Sequence, residues 1–417
     1  MKPPLRIGII GMGGFAGSHH RAVLGLEERG LIKLIGTCDP AAQFFAGEQH
    51  NWRFASRGVR VFPDYLALLD ACHEHLDFVV VPTPIQFHAE MHAAITARGI
   101  PAYVEKPPTL DFAELEQMIA SDTSARKSAL VGFNFIVEKL RLSLKERLLA
   151  GEFGAIRGAT LVASWPRPAS YFYRNDWAGR LLASDGSVVL DSCFGNALSH
   201  FVHNLLFWTG APDLFSWAQI AAVRAELYRA HAIEGADTFF VETDTASGIT
   251  LRFALTHACS GPSTHCEVVL CDKAVICYTV GGQLQIRWAD GRTEKTQIEP
   301  FDPLVENHLE YSRYLRGDSP RPVTTLTDCR PFVTLNDLAY ISSGRIARIP
   351  ASQVSDMRDQ KEQKDYLHIP TLASLQENFL TRGVWPSSAG WEREPGEVVT
   401  PADLPRLHEV IQRMAGA

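Results

Sequence analysis

The order of apolar and polar positions divides this chain into two stretches with different periods. Up to about residue 135, short apolar runs alternate with segments whose apolar residues recur at helical spacing. Ile7-Gly8-Ile9-Ile10 predicts a strand ending in glycines, and Phe15 to Glu28 predicts a helix. Ile32 to Cys38 predicts a second strand, stopped at Asp39-Pro40 because proline restricts the residue before it. Asp64 can cap a helix that carries Tyr65, Leu66, Leu68 and Leu69 at helical spacing. Phe78 to Val81 reads as a buried strand bounded by Pro82-Thr83-Pro84, and the helix Gln86 to Arg98 closes at Gly99. Ala102 to Val104 is a strand, Phe112 to Ala120 a helix and Ala129 to Gly132 a strand. Such alternation predicts parallel strands joined by right-handed crossovers, a doubly wound α/β sheet.

The period changes after Ala150. Ile249, Leu251, Phe253 and Leu255 alternate with Thr250, Arg252, Ala254 and Thr256, a strand with one buried face. Ala274 to Val280 and Gln283 to Trp288 flank the hairpin signal Gly281-Gly282, and Asp290-Gly291 marks the next turn. Pro331 to Ser343 predicts a helix, whereas the charged run Met357 to Tyr366 predicts a linker or a solvated helix. The expected second domain is α+β, an open antiparallel sheet with helices on one side. The divisions expected are 1–135, 136–345 and a C-terminal extension of unassigned role, 346–417. Val241, Ala254 and Val280 leave the sheet's other face not wholly polar, which predicts a homo-oligomer.

Composition narrows the function classes. With 417 residues, 46% hydrophobic and 21% charged, the chain suits a soluble protein of two domains. A formal charge of -7 supplies no basic field, which argues against nucleic acid or anionic lipid as a partner. No apolar run is long enough to cross a bilayer. The opening Met1-Lys2-Pro3-Pro4 lacks the apolar core of a signal peptide, and eight scattered cysteines do not suggest a disulfide framework. A cytoplasmic enzyme is expected.

The chemistry begins at Gly11-Met12-Gly13-Gly14-Phe15-Ala16, a G-x-G-x-x-A loop between strand and helix. Gly11 permits the tight turn, Gly13 lets backbone approach a pyrophosphate, and small Ala16 permits close packing of helix on strand. The helix N-terminus adds free N–H groups and a positive dipole end. Asp39 ends the second strand, where its carboxylate can accept both adenosine-ribose hydroxyls and disfavours a 2′-phosphate. The first domain therefore reads as a Rossmann domain that takes NAD in preference to NADP.

Val81-Pro82-Thr83-Pro84 with His88, followed by Tyr103-Val104-Glu105-Lys106-Pro107, resembles the glucose–fructose oxidoreductase/inositol dehydrogenase (Gfo/Idh/MocA) family from residue 5 to about 345. The resemblance implies that Thr83, Pro84 and His88 lie along the dinucleotide. It also implies that Glu105 and Lys106 sit near the nicotinamide, with Lys106 reaching the reacting hydroxyl across a cis Lys106–Pro107 bond. The family's second-domain motif, Gly-Gly-x-x-x-Asp-x-Gly-x-His, is altered here. Read backward from Trp208-Thr209-Gly210, His200 falls on the family histidine and Asn196 on the aspartate; read forward from Gly186, Asp191 takes the aspartate's place. Ser192-Cys193-Phe194-Gly195 then looks like extra chain. An unbroken helix from Asn196 would put Asn196, His200 and His203 on one face, so His200 is the candidate base and Asn196 a hydrogen-bonding group.

Two clusters remain. Trp165-Pro166-Arg167-Pro168 with Tyr171, Tyr173, Arg174 and Trp177 forms an aromatic and polar loop that suits either a sugar or a structural pin. His257, Cys259, His265, Cys266 and Cys271 lack metal-ligand spacing, so no metal is expected. The leading expectation is hydride transfer from a secondary hydroxyl of a sugar, cyclitol or derivative. An NAD-dependent glycosidase using transient oxidation, and a non-catalytic NAD and sugar sensor, remain as alternatives.

Overall fold

The computed structural model describes residues 2–279, 281–391 and 393–416. They form two compact units. Unit 1 comprises Met1–Thr109, Ala113–Glu138 and Phe301–Cys329, and unit 2 comprises Leu110–Phe112, Lys139–Pro300 and Arg330–Ala417.

Unit 1 contains β1 (Leu5–Ile10), β2 (Ile32–Cys38), β3 (Arg60–Phe62), β4 (Phe78–Val81), β5 (Ala102–Val104) and β6 (Leu130–Val131). They form one sheet in the order β3-β2-β1-β4-β5-β6, and every neighbouring pair is parallel. The apolar run of β4 is buried along its whole length, as a central strand covered on both faces requires. The order reverses between β1 and β4, so the loops leaving these two strands border the crevice where such sheets bind ligands. Asp64 caps the helix Tyr65–Cys72 by accepting from the N–H of Ala67 at 2.8 Å.

Residues 301–329, expected in the second domain, cluster with the first. Their helix, Pro303–Leu315, starts at Asp302, whose side chain accepts from the N–H groups of Leu304 and Val305. Buried polar groups hold it to the sheet. Tyr311 donates to the carbonyls of Ala102 and Ser128, and Asn307 donates to the Tyr103 hydroxyl and to Asn134. Nothing local in the sequence signals bonds over such separations.

Unit 2 contains β7 (Ile156–Ser164), β8 (Ile220–Arg229), β9 (Thr238–Thr245), β10 (Thr250–Thr256), β11 (Thr264–Cys271), β12 (Ala274–Tyr278), β13 (Gln283–Trp288), β14 (Thr293–Gln297) and β15 (Ile346–Arg348). The nine strands run β14-β13-β12-β11-β7-β10-β9-β8-β15. The sheet is mostly antiparallel, with parallel pairs at β7–β10 and β8–β15. One face packs on helices Ser199–Thr209 and Arg330–Ser343; Phe239, for instance, meets Tyr340 edge-on at 5.7 Å.

The other face departs from the expectation. Over β8, β9 and β10 it is covered by the C-terminal segment, whose Leu372, Leu375, Phe379, Trp385 and Trp391 pack on Tyr228, Phe240 and Ala254. Residues beyond 345 are thus part of the unit's core, because this face is apolar and the chain returns to cover it. Val241 lies on the helix-covered face with Phe239 and is fully buried, and Val280 lies outside the described residues. Val241 and Ala254, two of the three positions on which the expected self-association rests, are therefore covered within the unit itself. The charged run Met357 to Tyr366 is neither linker nor helix. It belongs to a hairpin of β16 (Ser355–Asp359) and β17 (Lys364–His368), closed across the strands by an Arg358–Asp365 ion pair.

Candidate functional site

In unit 1 the glycine loop leaves β1 through Gly11, which has φ +97° and donates to the Cys38 carbonyl at 2.7 Å. A side chain at Gly11 would meet Ala16 at 3.7 Å, and one at Gly13 would meet the Phe45 ring at 3.1 Å. The helix Ala16–Glu28 follows at once, with Ala16 buried and Phe15 half exposed. Gly13, Gly14 and Phe15 make no N–H hydrogen bond among the described residues, so three donors stand at a positive helix end. Met12, expected among the cofactor contacts, instead is buried and gives its N–H to Asp39 at 2.9 Å. Asp39 also accepts from Ala41 at 2.8 Å, so the loop and the next turn fix its carboxylate. Each oxygen keeps a lone pair for a further donor.

Two histidines absent from the sequence reading support this loop. His20 donates through Nε2 to the Gly11 carbonyl at 3.1 Å and stacks on Trp52 at 4.4 Å. Burial pulls its pKa down to about 4, so the ring is neutral at neutral pH. His19 donates through Nε2 to Glu105 Oε1 at 3.1 Å, and its Nδ1 lies 3.0 Å from Nε2 of His308. Both follow the loop at short spacing and carry a readable signal. His308 lies 289 positions along the chain from His19 and carries none.

Glu105 and Lys106 leave the end of β5. Glu105 is buried, and its Oε2 accepts the Lys106 N–H at 3.1 Å. Gly132 makes room for it, since a β-carbon there would lie 2.6 Å from Glu105 Oε1. Lys106 is half-buried, and its bond to Pro107 is cis. Thr83 and Pro84 follow β4. His88, expected along the dinucleotide, is buried behind these loops, with Nε2 2.8 Å from the Thr83 carbonyl and Nδ1 3.0 Å from that of Pro107. Burial lowers its pKa, the cost of a charged ring in an enclosed site. Its place makes it a tie between the two loops.

In unit 2 the two readings of the altered motif converge. Asn196 donates through Nδ2 to Asp191 Oδ1 at 2.7 Å, while Asp191 Oδ2 accepts the Gly179 N–H at 2.8 Å. The residues between them, Cys193–Ala197, form a wide π-type turn capped by Ser192, which accepts from Gly195 at 2.9 Å. Such turns absorb an inserted residue and often mark functional positions. Gly195 is closely packed: a β-carbon there would stand 2.8 Å from the Leu110 side chain and 3.1 Å from the Leu190 carbonyl.

The α-helix begins at Ser199, so the unbroken helix from Asn196 is not formed. Asn196 and His200 are half-buried at its start, but His203 is fully enclosed against Trp217, with ring centroids 5.0 Å apart. Burial holds the His203 pKa well below the ordinary imidazole range. Its place is in the core beneath the site. On the aromatic loop, Arg174 lies over Tyr171 at 3.7 Å and Trp177 at 5.1 Å, and its guanidinium is 3.9 Å from Asp191. Tyr173 is 74% exposed. His257 bonds the Trp165 carbonyl and Cys259 joins the core under the C-terminal segment, so these members of the His/Cys series serve separate structural tasks.

A parallel sheet in this order, with a glycine turn, a helix N-terminus and an acid at the end of β2, defines a dinucleotide-binding Rossmann domain. Residues 5–133 match the oxidoreductase family with an NAD-binding Rossmann fold, Gfo/Idh/MocA, and the chain carries a Rossmann domain of that family. Its curated relatives include inositol 2-dehydrogenase of Rhizobium meliloti, 26% identical over 175 residues, 41% of this chain and 49% of the relative. Inositol 2-dehydrogenase 4 of Saccharopolyspora erythraea is 30% identical over 155 residues, 36% of this chain and 42% of the relative. The matches span about half or less of these proteins. The fold is shared with the WlbA dehydrogenase of Chromobactrium violaceum, solved with NADH and UDP-GlcNAcA (TM-score 0.64, 20% identity, 82% of this chain and 96% of that one). It is also shared with a levoglucosan dehydrogenase solved with NADH (TM-score 0.68, 16% identity, 82% and 97%). No helix among the described residues is long and apolar enough to cross a membrane.

Proposed function

We propose that this chain is a cytoplasmic NAD-dependent oxidoreductase that reversibly oxidises a secondary hydroxyl of a sugar, cyclitol or derivative. The observation that carries the reading is the loop at the end of β1. Its three unbonded N–H groups and the fixed Asp39 carboxylate match the pyrophosphate and ribose of a dinucleotide. NAD, when bound, supplies the hydride acceptor. Gly13, Gly14 and Phe15 would hold its phosphates, and Asp39 its ribose hydroxyls. Lys106, with its backbone held by Glu105, polarises the reacting hydroxyl and stabilises the alkoxide that develops. His200 accepts the hydroxyl proton, and Asn196 orients a neighbouring hydroxyl.

The Asn196–Asp191 bond bears on the sensor alternative. That alternative draws on asparagine standing where the family has an acid, yet a carboxylate lies 2.7 Å from this amide. A panel of myo-inositol, levoglucosan and UDP-sugars, each mixed with NAD and the protein, tests the reading. Steady accumulation of NADH is expected with at least one. Glycoside cleavage without NADH would favour the glycosidase, and ligand-induced stabilisation alone would favour the sensor. We further propose self-association through the part of the sheet that the C-terminal segment leaves uncovered, where Val268, Leu270, Val275 and Cys277 keep partial exposure. A monomeric mass in light scattering at micromolar protein would reject that part.

A further inference from the structure

Unit 2 holds a groove of about 870 Å³ between the aromatic loop, the turn at Ser260–Ser263 and the hairpin β16–β17. That volume falls within the roughly 300–1,000 Å³ of sites that take drug-sized ligands. Two guanidiniums lie over the Tyr171 ring in the groove's lining, with Arg167 4.5 Å and Arg174 3.7 Å from the ring centroid. The hairpin supplies Tyr366 and Lys364 to the opposite wall.

The charges of this groove are unevenly compensated. Four cations line it, Arg167, Arg174, Arg358 and Lys364, against the two acids Asp359 and Glu362. Arg358 is paired with Asp365 and Lys364 with Glu362, while Asp359 is turned to the backbone N–H groups of its own turn. Arg167 makes no ion pair among the described residues, and its buried Nε has no hydrogen-bond partner. Arg174 donates through Nη1 to the Tyr171 carbonyl at 2.8 Å, and its one ion pair among the described residues is the long contact to Asp191 at 3.9 Å. Two guanidiniums stacked on one ring, neither neutralised by a close carboxylate among the described residues, form a local site for oxyanions in a chain of formal charge -7. A guanidinium has five N–H donors, and Arg174 uses one of them on the Tyr171 carbonyl. Arg174 also joins this groove to the Asp191–Asn196 pair of the same unit.

We propose that this groove is a subsite for a carboxylate or phosphate carried by the sugar substrate, with the C-terminal hairpin as its outer wall. This rests on the proposed reading only in taking the ligand of unit 2 to be sugar-like. The test is calorimetric titration of the full chain with glucose, glucuronate and glucose 6-phosphate at fixed ionic strength, with NAD present. One or both charged sugars should bind at least about tenfold more tightly than glucose, a factor equal to about 1.4 kcal/mol. The two charged arms decide between carboxylate and phosphate. Arg167→Gln combined with Arg174→Gln should reduce charged-sugar affinity to that of glucose and leave NAD affinity unchanged. Should the double variant not fold, Arg174→Gln alone, at an exposed position, should still remove a severalfold share of the preference. Equal affinity for charged and neutral sugars, binding of none of them, or a preference that survives the variants would overturn the proposal. A chain that prefers charged sugars but forms no NADH on any substrate would refute the redox reading alone. One that oxidises neutral sugars without that preference would refute the subsite alone.

Discussion

Unit 1 and unit 2 build their candidate sites in opposite ways. In unit 1 the decisive groups are backbone: three N–H groups at a helix end, the Gly11 carbonyl held by His20, and the Lys106 N–H held by Glu105. Backbone geometry is set by glycine, proline and strand endings, which a sequence displays openly. In unit 2 the decisive groups are side chains placed by irregular chain. Asn196 and Asp191 face each other across a π-type turn, and Arg174 is aimed by aromatic stacking in a loop. A short motif can specify the first kind of site. The second depends on insertions and loops whose shape no period reveals.

The largest effect that sharpens this contrast should come from unit 2. His200→Ala should lower turnover by about 10²–10⁴-fold, the usual contribution of a general base, or about 3–5 kcal/mol. NAD affinity, measured by calorimetry, should stay nearly unchanged. Asp191→Asn is the paired control, because it removes the carboxylate at nearly constant size and leaves one oxygen to accept from either Asn196 or the Gly179 N–H. If Asp191→Asn abolishes turnover and His200→Ala retains it, the base has been assigned to the wrong residue.

Second in size is the C-terminal segment. Trp391 is fully buried, meets Tyr228 edge-on at 4.9 Å and donates to Gln353 at 2.8 Å. Trp391→Ala should cost about 3–5 kcal/mol, as large core truncations do. Thermal unfolding should show the loss in the transition of unit 2. A melting curve that leaves that transition in place and adds a separate early step would mean that the segment is an independent appendage.

These two experiments also mark how far the sequence was readable. Strands β2, β4, β5 and β13 end where their apolar patterns end, because each is a buried or half-buried strand with clear borders. The hairpin β16–β17 is hidden in the sequence because most of its side chains face solvent, so a period of two carries no apolar signal. Cover of the second sheet face was equally hidden: Leu372, Leu375 and Phe379 show a helical stripe but not the sheet that it meets. Of the candidate sites, the glycine loop, Asp39 and the Glu105–Lys106 pair were legible as local motifs. The pairing of Asn196 with Asp191 was not, because the two are brought together by a turn wider than an α-helix, which no period in the sequence reveals.

A third measurement sets the units apart by acid. His20 has a folded pKa of about 4 against an ordinary value near 6.5, and His257 in unit 2 is pulled to about 3, burial being the main cause in each. In both cases the unfolded chain takes up a proton before the folded one does. The stability these groups contribute is therefore complete above pH 6.5 and is lost as pH falls toward the folded values. For His20 the loss amounts to about 3 kcal/mol. In urea titrations between pH 7 and 4, His20→Phe should flatten the slope for unit 1 only. A slope unchanged by that variant would show that other groups govern the acid sensitivity.

The smallest expected effect concerns the choice of dinucleotide. Asp39 is held by the N–H groups of Met12 and Ala41, so its charge stands ready at the end of β2. That charge should repel a 2′-phosphate and so favour NAD over NADP. Asp39→Asn keeps the size and removes the charge, and the ratio of the two affinities should fall about tenfold, equal to about 1.4 kcal/mol. Affinity for NAD itself should fall less, because the amide oxygen can still accept one hydrogen bond. Salt gives an independent check. Repulsion between a half-buried carboxylate and a phosphate weakens as the Debye length shrinks, so the wild-type ratio should narrow at high ionic strength. The variant's ratio should not respond, since it has no charge at that position to screen. Equal wild-type affinities for NAD and NADP, or a ratio that moves with salt in both proteins, would take the choice away from Asp39. It would also break the contrast between the units, since the preference could then no longer be traced to one residue of a local motif.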